Sequence, residues 1–291
     1  MKKLVWQVFR EAFRQHWSRP SYVKSGWAKE VERLYTKNIA PTFSRKEMGN
    51  ISAFQIRRWH SKFAENPYTG NRALEVFSRM FSFAQENEWI DANSNPCKLV
   101  KAFPERKRKR YATEEELHRV LKLLNEKLPT RPVEATFLLA LIYTGARPRA
   151  LTRLTWSSIK TVTIENKDFA VAQYDGKNSA ASGEEETLVF PPAILSLMRK
   201  LPTSELVFGI HTPRSLWQTV RKEAGCPDLW ARDFRRTFAT LGLSNDIGID
   251  VIAEVLNHKS TQTSKIYAKV LDTKRIEAVA NIAEHIKKIA G

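Results

Sequence analysis

Apolar residues recur at helical spacing along the first hundred positions of the chain. Between Trp27 and Tyr35 they fall at i, i+4, i+7 and i+8, and a second stripe runs over residues 73–84. This spacing places apolar side chains on one face of a helix. Because the aromatic residues keep the same period, we expect most of them to be core residues. The pattern therefore predicts an all-helical first domain over residues 1–103.

The second part of the chain mixes helical and strand patterns. Thr113 and Glu116 have the spacing of a capping box, which marks the start of a helix. The run over residues 133–143 is almost entirely apolar, which predicts a buried helix that stops at Gly145. Helical spacing returns after Thr212. Three β-rich segments lie in between, at residues 161–164, 169–174 and 187–191.

These elements predict a two-domain, mainly α-helical protein. The helical domain over 1–103 is joined by a linker over 104–111 to an α+β domain over 112–291, which contains a small antiparallel sheet. A length of 291 residues agrees with two domains that each bury a core. Two cysteines without a CxxC pair argue against a disulfide scaffold or a thiolate zinc site. The histidines are never four residues apart, which argues against a helical metal site.

The chain carries a formal net charge of +17, and most of it lies in the first domain and the linker. Residues 1–110 have an excess of 13 positive charges, against 4 for residues 111–291. Such an excess is compatible with nucleic acid, an acidic membrane surface or a well-solvated face. The densest run predicts an exposed linker, either a solvated tether or a segment that lies along phosphates. Its five cations are Arg106, Lys107, Arg108, Lys109 and Arg110.

The N-terminus does not have the pattern of a secretory signal. Arg10 and Glu11 interrupt the opening apolar run well before it reaches the length of a signal-peptide core. No stretch approaches the roughly 18 uncharged apolar residues of a membrane span. The sequence therefore predicts a cytoplasmic protein with no membrane partner.

Three short motifs carry the candidate chemistry. The first, Thr-Gly-Ala-Arg-Pro, spans residues 144–148, and the second, Arg-Asp-Phe-Arg-Arg-Thr-Phe-Ala-Thr, spans residues 232–240. The third is Leu-Asn-His at 256–258, followed nine residues later by Tyr267. In this order, and behind a basic helical domain, the motifs resemble those of the tyrosine recombinases, or phage integrase family. The resemblance covers nearly the whole chain.

The resemblance implies an enzyme that breaks and rejoins DNA with a tyrosine nucleophile. Tyr267 would attack a phosphodiester, form a 3′-phosphotyrosyl bond and release a 5′-hydroxyl. A phenol with a pKa of about 10 is a poor nucleophile at neutral pH, so neighbouring groups must assist it. Arg147 and Arg235 would grip the non-bridging phosphate oxygens with permanently charged guanidinium groups. His258 would donate a hydrogen bond to the phosphate or assist proton transfer.

A lysine on the β-hairpin usually protonates the leaving oxygen in this family. Lys177 is the first candidate for this role, and Lys167 on the preceding turn is the alternative. Arg232 stands where the family usually has a histidine. Because arginine stays protonated, Arg232 can orient groups or stabilise phosphate charge but cannot act as a base. Two further departures are Ala150, where the family often has an acidic residue, and Asn257, where it usually has a glycine. Asparagine tolerates a left-handed backbone, so the second change is mild.

The resemblance also implies domain roles and partners. Residues 1–103 would form the family's core-binding (SAM-like) domain and residues 112–291 its catalytic domain. No metal, ATP or other cofactor is expected, because the phosphotyrosyl link conserves the energy of the broken bond. The expected partners are double-stranded DNA with paired half-sites, accessory DNA-bending proteins and further copies of this chain in a tetramer on DNA. The last helix, from Lys274 to Ala290, would dock on a neighbouring copy or, alternatively, on its own domain.

The leading prediction is a site-specific recombinase that integrates and excises a mobile element and is associated with the nucleoid when bound to DNA. A type IB topoisomerase that relaxes DNA shares the catalytic fold and is the first alternative. The second alternative is a DNA-binding protein of the same fold whose catalysis has decayed, because Arg232 and Ala150 depart from the catalytic pattern.

Overall fold

Helices and one small sheet make up the structure, a computed structural model. Over the described residues the chain forms two compact units, Met1–Arg108 and Lys109–Gly291. The boundary between them falls inside the basic segment 104–111. A mainly helical architecture with one small antiparallel sheet confirms the predicted fold class. The described residues are 3–105, 108–174, 185–257 and 268–290.

The first unit is built mainly from helices. Two of them, α1 (Val5–Ala12) and α3 (Trp27–Leu34), continue directly into the π-helical segments Phe13–Trp17 and Tyr35–Ile39. The others are α2 (Pro20–Ser25), α4 (Ala40–Phe43), α5 (Ala53–His60) and α6 (Pro67–Glu86). Short 3₁₀ turns cover Met48–Asn50, Ser61–Phe63 and Pro96–Leu99.

An aromatic cluster forms the core of the first unit. The ring of Phe77 on α6 contacts the rings of Phe43, Trp59 and Phe81 at centroid distances of 5.0, 5.8 and 5.2 Å. All four side chains are buried. The prediction that the periodic aromatic residues are core residues is confirmed for this cluster. Phe54 differs, because it lies on the outer face of α5 and is exposed.

The second unit combines helices with three strands. It begins with α7 (Glu114–Lys127), α8 (Pro132–Thr144) and the short α9 (Pro148–Leu151). The strands are β1 (Ile159–Ile164), β2 (Lys167–Tyr174) and β3 (Glu186–Phe190). Its remaining helices are α10 (Pro192–Arg199), α11 (Arg214–Glu223), α12 (Phe234–Ser244), α13 (Ile249–Val255) and α14 (Ala268–Ala290).

The three strands form an antiparallel sheet in the order β1-β2-β3. The turn between β1 and β2 is formed by Glu165 and Asn166, whose φ angles are both positive, at 49° and 60°. The register of β2 against β3 places Tyr174 opposite Glu186. The predicted small antiparallel sheet is confirmed, and its register determines which polar side chains of the two strands meet.

Helix α8 runs through the core of the second unit. Every residue from Ala135 to Thr144 is buried, as its continuous apolar sequence predicts. It packs against α7, α10, α12 and α14 and against β3. The C-terminal end of α8 therefore delivers the Thr-Gly-Ala-Arg-Pro motif from a rigid, fully enclosed helix.

The C-terminal helix α14 packs on its own unit, against α7, α8 and α12. Its apolar face, which includes Ile276, Val279 and Ile286, is buried there. His118 of α7 also hydrogen-bonds the carbonyl of Ile289. In this single chain the helix takes the alternative position, because its apolar face is buried on its own unit, and docking on a neighbouring copy stays a prediction. Among the described residues, no helix has both the length and the apolar composition needed to span a bilayer.

Candidate active site

A glycine turn at the end of α8 positions Arg147. Gly145 has a φ angle of 61°, in the left-handed region that glycine adopts without strain. A Cβ atom on Gly145 would lie 2.7 Å from a methyl group of Leu256 and 3.0 Å from the ring of Phe238, so packing also excludes a side chain. Arg147 follows in an extended conformation as the N-cap of α9, with Pro148 as the first helical residue. The motif is therefore a local turn that presents Arg147.

Arg235 joins this turn to the end of α13. It lies in the first turn of α12, where its Nη1 donates a hydrogen bond of 3.1 Å to the carbonyl of Gly145. Its Nη2 donates a hydrogen bond to the carbonyl of Leu256. The side chain is half-buried, and burial, followed by the positive charge of Arg147, lowers the pKa of Arg235 to about 10. The guanidinium therefore remains protonated at neutral pH, and Arg147 and Arg235 form one cationic site.

Glu186 is a site residue that the sequence analysis missed. Its Oε2 accepts a hydrogen bond of 2.8 Å from Nη1 of Arg147 and one of 2.6 Å from the hydroxyl of Tyr174. The Glu186 side chain is only 5% exposed, whereas that of Arg147 is 31% exposed. Burial and the neighbouring carboxylate of Glu186 raise the pKa of Tyr174, so this phenol stays protonated and acts as a donor. No sequence motif marks Glu186. It is the pairing of β2 with β3 that brings Tyr174 and Glu186 together.

The corner that follows α13 is tied to β3 through Asn257. This residue has a φ angle of 51°, which confirms that asparagine adopts the left-handed backbone in place of glycine. Its side-chain amide donates a hydrogen bond of 2.7 Å to the carbonyl of Thr187 and accepts one of 3.3 Å from the Thr187 N–H. At the start of β3, Glu186 therefore contacts Arg147, and Thr187 contacts Asn257, which directly precedes His258 in the chain.

Arg232 takes no part in the described hydrogen bonds that hold Arg147 and Arg235. It lies in the 3₁₀ turn Ala231–Asp233, and its side chain is exposed. No hydrogen bond or ion pair within the described part of the chain involves Arg232. Its neighbour Asp233 is buried and accepts a hydrogen bond of 2.8 Å from the N–H of Trp230, which fixes the turn that precedes α12. Three further predicted site residues, Lys177, His258 and Tyr267, lie outside the described residues.

The structure separates the five cations predicted to contact DNA. Arg106 and Lys107 lie outside the described residues, whereas Lys109 is exposed. Arg110 differs from Lys109, because its guanidinium contacts the carboxylates of Glu116 and Asp228 at 2.5 and 2.8 Å. These ion pairs hold the Arg110 side chain against the second unit, where it is 21% exposed. Its donors are thus used within the fold, and a phosphate contact at this position stays a prediction.

The alternative hairpin lysine, Lys167, is the first residue of β2 and is exposed. It pairs with Ile164 across the turn between β1 and β2. Its backbone position is thus at the far end of β2 from Tyr174, the residue that contacts Glu186. Lys177 follows Tyr174 by three positions and lies outside the described residues, so the choice of Lys177 over Lys167 stays a prediction.

The paired arginines and the buried glutamate form a preorganised anion-binding site. Arg147 and Arg235 provide two positive charges, and Glu186 neutralises one of them, so these three described side chains have a net charge of +1. Planar guanidinium groups match the geometry of phosphate oxygens. Donors that are held in place by the fold stabilise charge that develops in a transition state, because they need no reorganisation. The arrangement can bind a phosphate and stabilise a more highly charged form of it.

Comparisons with known proteins found similar sequences and similar folds. Residues 110–274 match the sequence model of the phage integrase family. The tyrosine recombinase XerA of Pyrococcus furiosus is 27% identical over 283 residues, which cover 90% of this chain and 91% of that protein. A lambda integrase tetramer bound to a Holliday junction has a TM-score of 0.68 at 13% identity, over 91% of this chain and 80% of that one. The Tn1549 transposon integrase in complex with circular intermediate DNA has a TM-score of 0.63 at 11% identity, over 92% of this chain and 98% of that one.

Proposed function

The chain belongs to the phage integrase family of tyrosine recombinases, enzymes that break and rejoin DNA strands, and from this premise we propose that it is a site-specific recombinase acting through a 3′-phosphotyrosyl intermediate. The observation that carries the proposal is the pairing of Arg147 and Arg235 around the Gly145 turn. Arg235 reaches the turn at Gly145 across 90 positions of the chain, and the two arginines thereby form one site for a phosphate.

In the proposed reaction, the Oη atom of Tyr267 attacks the phosphorus of a DNA phosphodiester. A bond forms between this oxygen and phosphorus, while the bond to the 5′-oxygen breaks. As Tyr267 attacks, its phenolic proton passes to His258, and Lys177 donates the proton that the leaving 5′-oxygen takes up. Attack by a 5′-hydroxyl on the phosphotyrosyl bond then reverses these steps and joins the strand.

The two arginines stabilise the charge that builds up on the non-bridging oxygens. The Arg235 guanidinium is held by two backbone carbonyls, and that of Arg147 by one carboxylate oxygen. Both groups are therefore oriented before the phosphate arrives. Preorganised donors of this kind contribute roughly a hundredfold or more each to the rate in characterised enzymes. Arg232, which is exposed in the turn that precedes α12, would contribute positive charge.

Double-stranded DNA is the proposed partner of both units. The first unit, with its excess of positive charge, would supply phosphate contacts. Arg57 and Arg58 on α5 are exposed, together with Phe54 on the same helix, and are suited to this role. Ionic contacts to phosphate release counterions, so the affinity should fall steeply as salt is added. Assembly of several copies on DNA is supported by the lambda integrase tetramer, which shares this fold at 13% identity.

We assign the integration and excision of a mobile element as the biological role. The support for this assignment is the similarity in fold to the Tn1549 transposon integrase in complex with circular intermediate DNA. Inverted half-sites around a short spacer in the DNA that flanks the gene would be the expected target. Half-sites found at a single chromosomal position, with no element boundary beside them, would instead favour the resolution of chromosome dimers.

A suicide DNA substrate tests the proposed function. A duplex built on the flanking half-sites carries a nick next to the scissile phosphate, so that the short 5′-hydroxyl fragment diffuses away and the adduct accumulates. Wild-type protein should form a covalent adduct, and Arg147→Ala should lose adduct formation by orders of magnitude while it largely keeps DNA binding. Arg149→Ala is the matched control, because Arg149 is two residues away and exposed. Footprinted binding without any adduct would overturn the proposal in favour of a DNA-binding protein with decayed catalysis.

The product distinguishes recombination from relaxation. When two half-site pairs are supplied on separate DNA molecules, a recombinase should exchange strands between them. The products should be DNA molecules in which sequences from the two substrates are covalently joined. Relaxation of supercoiled plasmid without any exchange product would show a topoisomerase activity instead.

A further inference from the structure

The buried glutamate at the start of β3 accepts a hydrogen bond from the side chain of Arg147. Its Oε2 accepts hydrogen bonds from Arg147 Nη1 and from the Tyr174 hydroxyl, at 2.8 and 2.6 Å. A carboxylate that is 5% exposed is stable only when it is paired, because burial removes its hydration. Glu186 therefore has a defined partner and a defined geometry, both of which involve a proposed catalytic residue.

We propose that Glu186 is a positioning residue for the recombination reaction, which holds the Arg147 guanidinium in the orientation that meets the scissile phosphate, and that Tyr174 in turn fixes the Glu186 carboxylate. This inference rests on the proposed function. Glu186 does not touch the DNA in this account, and it acts only through Arg147.

The geometry of the ion pair supports a positioning role. Glu186 occupies one terminal nitrogen of Arg147, and no other hydrogen bond of this guanidinium is made within the described part of the chain. Because the guanidinium is planar, a fixed contact at Nη1 restricts the directions in which the remaining N–H groups point. The Arg147 side chain is 31% exposed, so those remaining donors can be reached by a phosphate.

The charges at the site support the same role. Burial and the charge of Arg147 lower the pKa of Arg235, whereas the negative charge of Glu186 acts in the opposite direction. Two like charges this close repel each other, and without Glu186 they would separate before the phosphate arrives. Position 150, one helical turn after Arg147, is an alanine and supplies no carboxylate there. Glu186 is thus the acidic side chain that keeps the two arginines together.

The role predicts a separation between binding and cleavage. Glu186→Gln keeps the size of the side chain but removes its charge, so the site would carry +2 instead of +1. Attraction for DNA phosphate should not fall, because the site becomes more positive. The rate of cleavage should fall because Arg147 is no longer aligned, and a misplacement of about 1 Å costs on the order of a hundredfold. Substitution of a merely structural residue would change DNA affinity and the cleavage rate together, or would change neither of them.

The experiment compares Glu186→Gln with Glu185→Gln under single-turnover conditions on the suicide substrate. Glu185 precedes Glu186 directly and is exposed, so its substitution makes the same change in charge without loss of the ion pair. We expect Glu186→Gln to cleave about 100-fold more slowly at saturating DNA, with a dissociation constant within about threefold of wild type. Glu185→Gln should match the wild type. Tyr174→Phe should fall in between, because the carboxylate keeps its charge and loses one donor.

Equal cleavage by both glutamine variants would overturn the inference, as would a loss of binding that accounts for the whole loss of cleavage. If wild-type protein itself forms no adduct, the proposed function fails, and a measurement that needs no DNA still tests the ion pair. NMR of the arginine side chains, with Arg147→Lys to assign the signals, should show slowed rotation of the Arg147 guanidinium in wild type and in Glu185→Gln. Glu186→Gln should remove this slowing, and an unchanged signal would contradict the positioning contact.

Discussion

Gly145→Ala should be among the most damaging single-methyl additions in the second unit. The left-handed backbone of Gly145, with φ of 61°, costs an L-residue about 1–2 kcal/mol. The new Cβ would also lie 2.7 Å from Leu256 Cδ2 and 3.0 Å from Phe238 Cγ, both in the packed interior. Overpacking of this kind typically costs a further 1–3 kcal/mol, roughly. We expect a total loss of about 2–5 kcal/mol in the free energy of unfolding.

Gly225→Ala is the matched control for this substitution. Gly225 has a similar φ angle of 69°, but no atom lies within 4 Å of the position that its Cβ would take. The control therefore measures the backbone cost alone, about 1–2 kcal/mol. Differential scanning calorimetry reports both variants, and a loss of 1 kcal/mol should lower the Tm of a unit of this size by about 2–4 °C. The difference between the two variants isolates the packing contribution.

The same substitution should affect cleavage beyond its effect on stability. The Gly145 carbonyl accepts a hydrogen bond from Arg235, and Leu256, which the new methyl would displace, provides the other carbonyl partner of Arg235. At a temperature where both variants are folded, Gly145→Ala should lose at least about tenfold in cleavage rate, whereas Gly225→Ala should not change. A Gly145→Ala protein that is no less stable than Gly225→Ala would refute the reasoning, because the close contacts would then carry no energy.

Three further predictions follow from named contacts. In chemical denaturation, Asn257→Gly should be less destabilising than Asn257→Ala by about 1 kcal/mol. Both variants lose the two hydrogen bonds, but only alanine strains the left-handed backbone. Equal losses in the free energy of unfolding would contradict this. Arg110→Ala should lower thermal stability by about 1–2 kcal/mol with little change in DNA affinity, because its ion pairs are internal; a selective loss of DNA affinity would restore it as a phosphate contact. The double variant Arg57→Ala/Arg58→Ala should reduce the slope of log affinity against log salt concentration by about 1.8. Arg33→Ala should change this slope less, because the Arg33 guanidinium is paired with a neighbouring glutamate. An unchanged slope in the double variant would show that α5 does not contact DNA.

The sequence could predict the features that follow from a local pattern of neighbouring residues. The Gly145 turn, the helix that it ends and the left-handed conformation of Asn257 each follow from a few consecutive residues. The apolar continuity of residues 133–143 likewise predicted a buried helix, which α8 is. Such features depend on backbone preference and side-chain period, both of which are local properties.

The features that the sequence did not predict depend on contacts between distant residues. Glu186 pairs with Arg147 across 39 positions, and its place in the site follows from the strand register rather than from a motif. In the sequence it belongs to a run of three glutamates that has the appearance of a solvated loop. Arg110 is similar, because Asp228, which pairs with it, is 118 positions away. Charge composition counts such residues correctly but cannot show which carboxylate neutralises which cation.

The chemical identity of the covalent adduct tests directly whether Tyr267 is the nucleophile that forms a 3′-phosphotyrosyl bond. After wild-type protein has reacted with the suicide substrate, nuclease digestion and protease cleavage leave a nucleotide on a single peptide, which mass spectrometry can sequence. We expect a 3′-nucleotide attached through its phosphate to Tyr267, and we expect Tyr267→Phe to give no adduct while it still binds the same DNA. An adduct on any other residue, a 5′-phosphate linkage, or an adduct that persists in Tyr267→Phe would contradict the account.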